Sequence, residues 1–288
     1  MGVLRLGTRT FAPGQFAVMA ILNRTPDSFH DMGATFAPDA ALRAVESAVA
    51  DGADLVDVGG VKAGPGAEVD PSEEIRRVVP TVAAIRARFP DLVISADTWR
   101  AEVAKEAVAA GADLVNDAWA GADPDLAAVA AATGAGLVCS HTGGTAPRTR
   151  PHRVAYADVV ADVVAAVTRL AERALTAGVR RDGIVVDPTH DFGKNTRHSL
   201  ELTRRLDELV ATGYPVLVAL SHKDFVSETL GLPAGERLEG TLAATAVSAW
   251  LGARVFRTHD VRATRRVLDM VASIRGDRRP SAARRGLV

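Results

Sequence analysis

One cysteine, Cys139, stands in 288 residues. An internal disulfide is therefore impossible, and a reducing cytoplasm is the simplest compartment to expect. Apolar runs long enough to cross a membrane are missing too. The opening MGVLRLGTRTFAPGQ has no long apolar stretch after its charges, so it does not read as a signal peptide. Its Met-Gly start lacks the Ser or Thr at position 6 that a myristoylation signal wants. Excess charge is missing: 34 Lys and Arg against 35 Asp and Glu leave a net −1. That balance argues against a protein that coats nucleic acid through a basic footprint, and leaves room for a local anion site. The seven histidines show no HExxH or paired spacing, which argues against a zinc site. Cys139 lies mid-strand beside Leu137 and Val138 and reads as a small buried apolar residue rather than a nucleophile.

What is present is a core. Apolar residues make up 48% and charged residues 24%, so a sizeable interior is expected and wholesale disorder is not. Short β-branched runs alternate with alanine-rich helical stretches. The strand candidates span 16–22, 54–59, 92–97, 113–117, 136–141, 183–188, 215–221 and 254–259. Helical spacing fills 39–52, 73–89, 101–111, 123–134, 156–178, 197–213, 240–252 and 262–276. Strands that are apolar almost throughout have both faces covered, as in a parallel sheet flanked by helices. Eight β-α units in about 250 residues fit one closed (β/α)8 barrel, with an open doubly wound sheet as the runner-up. The first residues, VLRLGTRTFAPG, predict a short hairpin that plugs the barrel floor. The repeats GAD (52–54 and 111–113) and GAR (252–254) read as helix-stop-then-strand punctuation. No internal linker is visible, so residues 1–275 form one domain. Residues 276–288, arginine-rich with Pro, Gly and Ser, read as a basic flexible tail.

In such a barrel the working face is the C-terminal end of the strands. Strand by strand, the tips read Asn23; Asp57 with Gly59-Gly60; Asp97; Asn116-Asp117; Ser140-His141; Asp187; Ser221 running on to Lys223; and Arg257 with His259. Polarity at strand ends is ordinary, but a set dominated by Asn, Asp, Lys and His points to a site. Asp97 and Asp187 with the amide of Asn116 can hydrogen-bond a flat, donor-rich heterocycle, with Lys223 on the remaining edge. Asn23, Arg257 and His259 come from the first and last strands, which are neighbours in a closed barrel. Together they make an anion site suited to phosphate, and the Asn23 oxygen could also ligate Mg2+. His141 and His190, taken singly, read as hydrogen-bonded structural histidines.

The motifs LNRTPDSF, DVGG…GPGA, SADT, VND, DPTHDFGKN, LSHK, RLEGTLAATA and FRTHDV, in this order and spacing, resemble the dihydropteroate synthases over roughly residues 15 to 275. The resemblance implies a cytoplasmic transferase of folate biosynthesis. It would join 6-hydroxymethyl-7,8-dihydropterin diphosphate to p-aminobenzoate with Mg2+ as cofactor. Asp97, Asn116, Asp187 and Lys223 would hold the pterin. Asn23, Arg257 and His259 would hold the diphosphate, with Asn23 at the metal. Phe192 and Ser221 would line the second-substrate pocket. Asn23, Asp97, Lys223 and Arg257 would carry catalysis. The implied chemistry is dissociative: the diphosphate leaves, a flat pterin cation is held, and the aniline nitrogen attacks. No nucleic-acid or membrane partner is implied, and a homodimer through the late helices is.

The sequence departs from that family at four of its motifs. Its second-loop motif, Gly-Gly-Glu-Ser-Thr-Arg-Pro-Gly, is here Gly59-Gly60-Val61-Lys62-Ala63-Gly64-Pro65-Gly66. The usual Val after the first-loop Asn is Arg24. The glycine-rich entry to Phe-Gly-Lys is Thr189-His190-Asp191, and Ser-Arg-Lys is Ser221-His222-Lys223. This pattern resembles the divergent second paralogues of actinobacteria. Two readings stand: a transferase in which Arg24 or Lys62 replaces the lost loop cation, or a pterin- and phosphate-binding paralogue that is inactive or takes a different second substrate. A pterin-binding methyltransferase ranks last, because no corrinoid-binding partner domain is present. Pro26, Gly33, Gly59, Gly60, Gly64 and Gly66 make loops one and two candidate mobile lids.

Overall fold

The computed structural model describes residues 2–25, 38–149, 154–233 and 235–286; Pro26 and Gly33 of the first loop lie outside them. Two short strands, β1 (Leu4–Leu6) and β2 (Arg9–Phe11), pair antiparallel as a hairpin. Eight parallel strands follow: β3 (Ala17–Asn23), β4 (Leu55–Gly59), β5 (Val93–Asp97), β6 (Leu114–Asp117), β7 (Gly136–Ser140), β8 (Ile184–Asp187), β9 (Leu217–Ala219) and β10 (Val255–Thr258). Their order is β8-β7-β6-β5-β4-β3-β10-β9. The ring closes between β8 and β9 through a single bridge, Val186 to Val216, with the Val186 N–H donating to the Pro215 carbonyl at 2.9 Å. Pro215 has no N–H to extend that ladder, so the seam stays short.

The helices between are α1 (Pro38–Ala50), α2 (Pro71–Arg88), α3 (Ala101–Ala109), α4 (Leu126–Thr133), α5 (Val159–Ala177), α6 (Thr196–Arg204), α7 (Leu206–Val210), α8 (Asp224–Leu230), α9 (Leu238–Trp250) and α10 (Val261–Ile274). Two expectations are corrected. The single helix over 197–213 is two, parted at Arg205, whose φ of −108° and ψ of 29° leave the helical region. That arginine is ion-paired to Glu201 and Glu208 on either side of the break and to Asp158 at the start of α5. The second correction is α8, which is too short to show an apolar period. Its stop signal is Gly231 in the left-handed conformation, φ 67°.

Alternation along the strands sorts the interior into two cores. One parity, including Val18, Val56, Ile94, Val115, Cys139, Val186, Val218 and Phe256, packs outward against the helices. The opposite parity, Ala17, Met19, Leu55, Val93, Leu114, Val138, Val185, Leu217 and Val255, fills the barrel floor together with Leu4, Leu6 and Phe11 of the hairpin. The hairpin is the plug expected from the sequence. Arg254 pins it, its guanidinium donating to the carbonyls of Gly2, Phe11 and Ala12.

The GAD repeat has a physical meaning. Gly52 and Gly111 take φ of 98° and 117°, as helix-ending glycines do. The aspartate that follows then ties the next ladder: Asp54 Oδ2 accepts the Val18 N–H at 3.0 Å, and Asp113 Oδ2 accepts that of Ile94 at 2.9 Å. Beyond α10, residues 276–286 are exposed and form no regular element. Among the described residues, no helix is long and apolar enough to cross a membrane.

Candidate active site at the barrel mouth

The parity that places leucine and valine on the floor continues upward and changes chemistry. Above Leu55 comes Asp57; above Val93 come Ser95 and Asp97; above Leu114 comes Asn116; above Val185 comes Asp187; above Val255 comes Arg257. Register aligns Asn23 with Gly59, Gly59 with Asp97, and Asp97 with Asn116, side by side across four strands. A two-residue period and parallel pairing therefore bring the predicted tips to one rim.

At the centre lies an ion cluster. Asp57 is fully buried. Its Oδ2 accepts from Arg257 Nε at 2.6 Å and from Asn116 Nδ2 at 3.0 Å. Arg257 Nη2 reaches Asp97 Oδ2 at 2.9 Å. Burial raises the Asp97 carboxyl, and the negative charge of Asp57 adds to it, against the pull of Arg257, giving a pKa of about 7. Burial lowers the Arg257 guanidinium, but Asp57 and Asp97 more than offset this and hold it above its usual value. Asp57 is one of the strand tips of the sequence, where nothing assigns it a partner or a role. A charged residue inside an otherwise apolar strand was the available signal.

A second group stands on the opposite side. Asp187 is buried, and its Oδ1 accepts the Thr189 N–H at 2.7 Å. Burial raises Asp187 against the charge of Lys223, and burial lowers Lys223 against Asp191 and Asp187. Lys223 Nζ donates to the His190 carbonyl and lies 4.8 Å from the ring centroid of Phe192. Phe192 packs on Trp119 at 5.2 Å, and Trp119 on Trp99 at 6.4 Å. These tryptophans form an aromatic wall that the sequence reading did not assign. Ser221 Oγ and His259 Nδ1 are 3.0 Å apart, so residues expected in two different subsites touch. Asn23 is half-buried at the end of β3. It shares the rim by register.

The loop over Pro188–Asn195 presents this second group. Thr189 and Asp191 take φ of 52° and 69°. Left-handed backbone costs a non-glycine residue about 1–2 kcal/mol, so something must hold it. Asp191 Oδ1 accepts from Ser199 Oγ at 2.9 Å and its Oδ2 from the Phe225 N–H at 3.2 Å. Lys194 Nζ donates to the carbonyls of His141, Phe192 and Thr189 at 2.8, 2.9 and 3.1 Å. Burial, then the charge of Lys223, lowers Lys194 to about 7.

The two lone histidines are hydrogen-bonded as expected: His141 Nε2 to Asp162 at 2.7 Å, His190 Nε2 to Thr203 at 3.1 Å. Cys139 is buried, and burial followed by Asp117 pushes its thiol up to about 12, so it is no thiolate nucleophile. Loop two receives a cation from an unassigned source. Arg148, on the loop after β7, donates to the carbonyls of Gly64 at 3.3 Å and Ala67 at 2.7 Å. Among the described residues no three His, Cys, Asp or Glu come together to hold a metal. Beside the mouth, a groove of about 1190 Å³ opens along α4 and α5, lined by His141, Tyr156, Asp162, Arg169 and Arg173. It takes in the strand tip His141 but none of Asp57, Asp97, Asn116, Asp187, Lys223 and Arg257.

Acidic acceptors, an amide, a lysine and an aromatic wall thus stand together at the mouth of a (β/α)8 barrel. The family model described as "Pterin binding enzyme" matches residues 19–259, and the chain belongs to that family and, within it, to the dihydropteroate synthases. It is 62% identical over 283 residues to the Mycobacterium leprae protein named "Inactive dihydropteroate synthase 2", covering 97% of both chains. It is 39% identical over 248 residues to the dihydropteroate synthase of Haemophilus influenzae, covering 86% of this chain and 90% of that one. The Yersinia pestis dihydropteroate synthase, solved as a sulfonamide drug complex, superposes with a TM-score of 0.90 at 34% identity, covering 96% of this chain and 100% of that one.

Proposed function

We propose that the barrel mouth binds 6-hydroxymethyl-7,8-dihydropterin diphosphate, and that transfer of the pterin to p-aminobenzoate is the step weakened by the altered second loop. The observation that carries this is a contrast within one rim. The rim side chains Asp57, Asp97, Asn116, Asp187, Lys223 and Arg257 are bonded or charge-coupled to one another. The loop beside it reads Val61-Lys62-Ala63-Gly64, without the carboxylate, hydroxyl and guanidinium of the family motif. Losing one charged contact to a transition state can cost orders of magnitude in rate while leaving ground-state binding intact.

Within this reading Asp97, Asn116 and Asp187 accept and donate along the ring edge, and Lys223 closes it over Phe192. Asn23, Arg257 and His259 face the diphosphate. Ser221 and Phe192 line the pocket for the arylamine, next to His259. The donor set argues for Mg2+ that arrives with the diphosphate: Asn23 offers one amide oxygen, and phosphates and water supply the rest, as Mg2+ prefers. The ion would neutralise the leaving diphosphate. The protein's own task is to orient the ring and keep the acid tail at the β3 and β10 rim. A reducing cytoplasm and a homodimer through α9 and α10 belong to the same reading. Val247 and Trp250 on α9 and Met270 and Ile274 on α10 are large apolar side chains left 48 to 62% exposed.

A second reading, full synthase activity by compensation, rests on Arg148, which brings a guanidinium to the loop that lost one. Calorimetry with the pterin diphosphate, alongside pyrophosphate release on adding p-aminobenzoate and Mg2+, separates them. Binding with little or no release supports the first reading, and release at synthase rates supports the second. No binding overturns both.

A further inference from the structure

We infer that Arg257 couples the two ends of the ligand, because the guanidinium that should receive the acid tail is held on a carboxylate that should receive the ring. This rests on the pterin-diphosphate reading and deepens it. Arg257 Nε is anchored on Asp57 at 2.6 Å, under the rim. Its Nη2 reaches past that anchor to Asp97 at 2.9 Å. Two adjacent N–H groups of one planar cation thus meet two carboxylates, the same donor pattern that the amino and ring N–H edge of a pterin presents. Ring and guanidinium compete for Asp97 Oδ2.

The competition has an asymmetric solution. Asp57 is fully buried, and Asn116 supplies it only one further hydrogen bond. Taking Arg257 away from Asp57 would strand a buried charge. Asp97 is 26% exposed and can exchange partners more readily. The Nη2–Asp97 bond is the one to break, with Nε–Asp57 as the pivot. A ring without an acid tail must break that bond and leave Nη2 without an anion. A diphosphate replaces carboxylate by phosphate on the same nitrogen and frees Asp97 for the ring. Anion at the tail site and ring at the wall therefore bind cooperatively, and by linkage the effect is reciprocal. A hydrogen bond to a charged group contributes about 1.5–3 kcal/mol, which corresponds to a coupling of about 10- to 100-fold.

The wild-type protein tests this. Tail-less 6-hydroxymethylpterin is titrated by calorimetry with and without saturating inorganic pyrophosphate. We expect pyrophosphate to tighten pterin binding about tenfold or more, and the pterin to tighten pyrophosphate binding by the same factor. Independent or competing binding overturns the inference and leaves the pterin reading standing. A wild-type protein that binds neither the tail-less pterin nor its diphosphate overturns the reading and the inference together. In Arg257→Met, checked for native unfolding, the coupling should vanish, and the tail-less pterin should bind more tightly than to wild type. Coupling that survives in this variant assigns the effect to another residue and refutes the role of Arg257.

Discussion

Lys194 offers a prediction whose sign follows from its surroundings. The residue is 7% exposed, its Nζ bonded to three backbone carbonyls, with its pKa lowered to about 7. In the unfolded chain an ordinary lysine keeps its proton to about pH 10.4. Between pH 7 and 9 the unfolded state thus binds a proton that the folded state has released, so stability should rise with pH in that window. One full proton changes stability by about 1.4 kcal/mol per pH unit, which caps the gain at about 2.7 kcal/mol over two units. The facing groups are Lys223, whose charge lowers this pKa, and Asp187, Asp191 and Asp162, whose charges raise it. Lys194→Met has similar length and no proton to lose. It should be destabilised at pH 7 by about 2–4 kcal/mol for carbonyls left without a donor, and the gap to wild type should widen by about 1–2.5 kcal/mol by pH 9. Urea midpoints at constant m-value measure this. The Cys139 thiol, held protonated up to about 12, opposes the trend but is common to both proteins and cancels in the difference. Stability profiles that run parallel from pH 7 to 9 would show that Lys194 does not titrate there, and the argument would fall.

Four further expectations can be checked. Asp97→Asn should bind the pterin diphosphate about 10- to 100-fold more weakly while staying folded; unchanged affinity would remove Asp97 from the site. Because the Asp97 pKa is raised to about 7, its contribution to stability is full below about pH 4 and is lost as pH rises through 7. The Asn variant should therefore gain on wild type between pH 4 and 8 in denaturant titrations. Gly64→Arg with Ala63→Thr should raise pyrophosphate release with p-aminobenzoate, whereas no gain would point to a changed second substrate. Trp250→Glu, at a site 59% exposed on α9, should shift sedimentation from dimer to monomer, and an unaltered dimer would move the interface elsewhere.

Alternation and punctuation were legible in the chain itself. Every barrel strand lies where its β-branched run predicted, within a residue or two at most ends, because buried parallel strands must be apolar on both faces. The tip residues were legible for the same reason: polarity that interrupts such a run has few places to go but the rim. The helix break at Arg205 and the short helix α8 were not legible, since neither alters an apolar period over enough residues to register.

The sequence by itself determined the class of fold, the parity that points Asp97, Asn116, Asp187 and Arg257 inward, and the order in which they reach the mouth, because these follow from a two-residue repeat and chain order. Only the tertiary structure decided which of them touch. Asp57 and Arg257 are 200 residues apart in the chain yet 2.6 Å apart in space, and Arg148 reaches the carbonyl of Gly64 from 84 residues away. Contacts of that kind depend on barrel closure and on how a buried charge finds its counter-ion, and no local pattern encodes either.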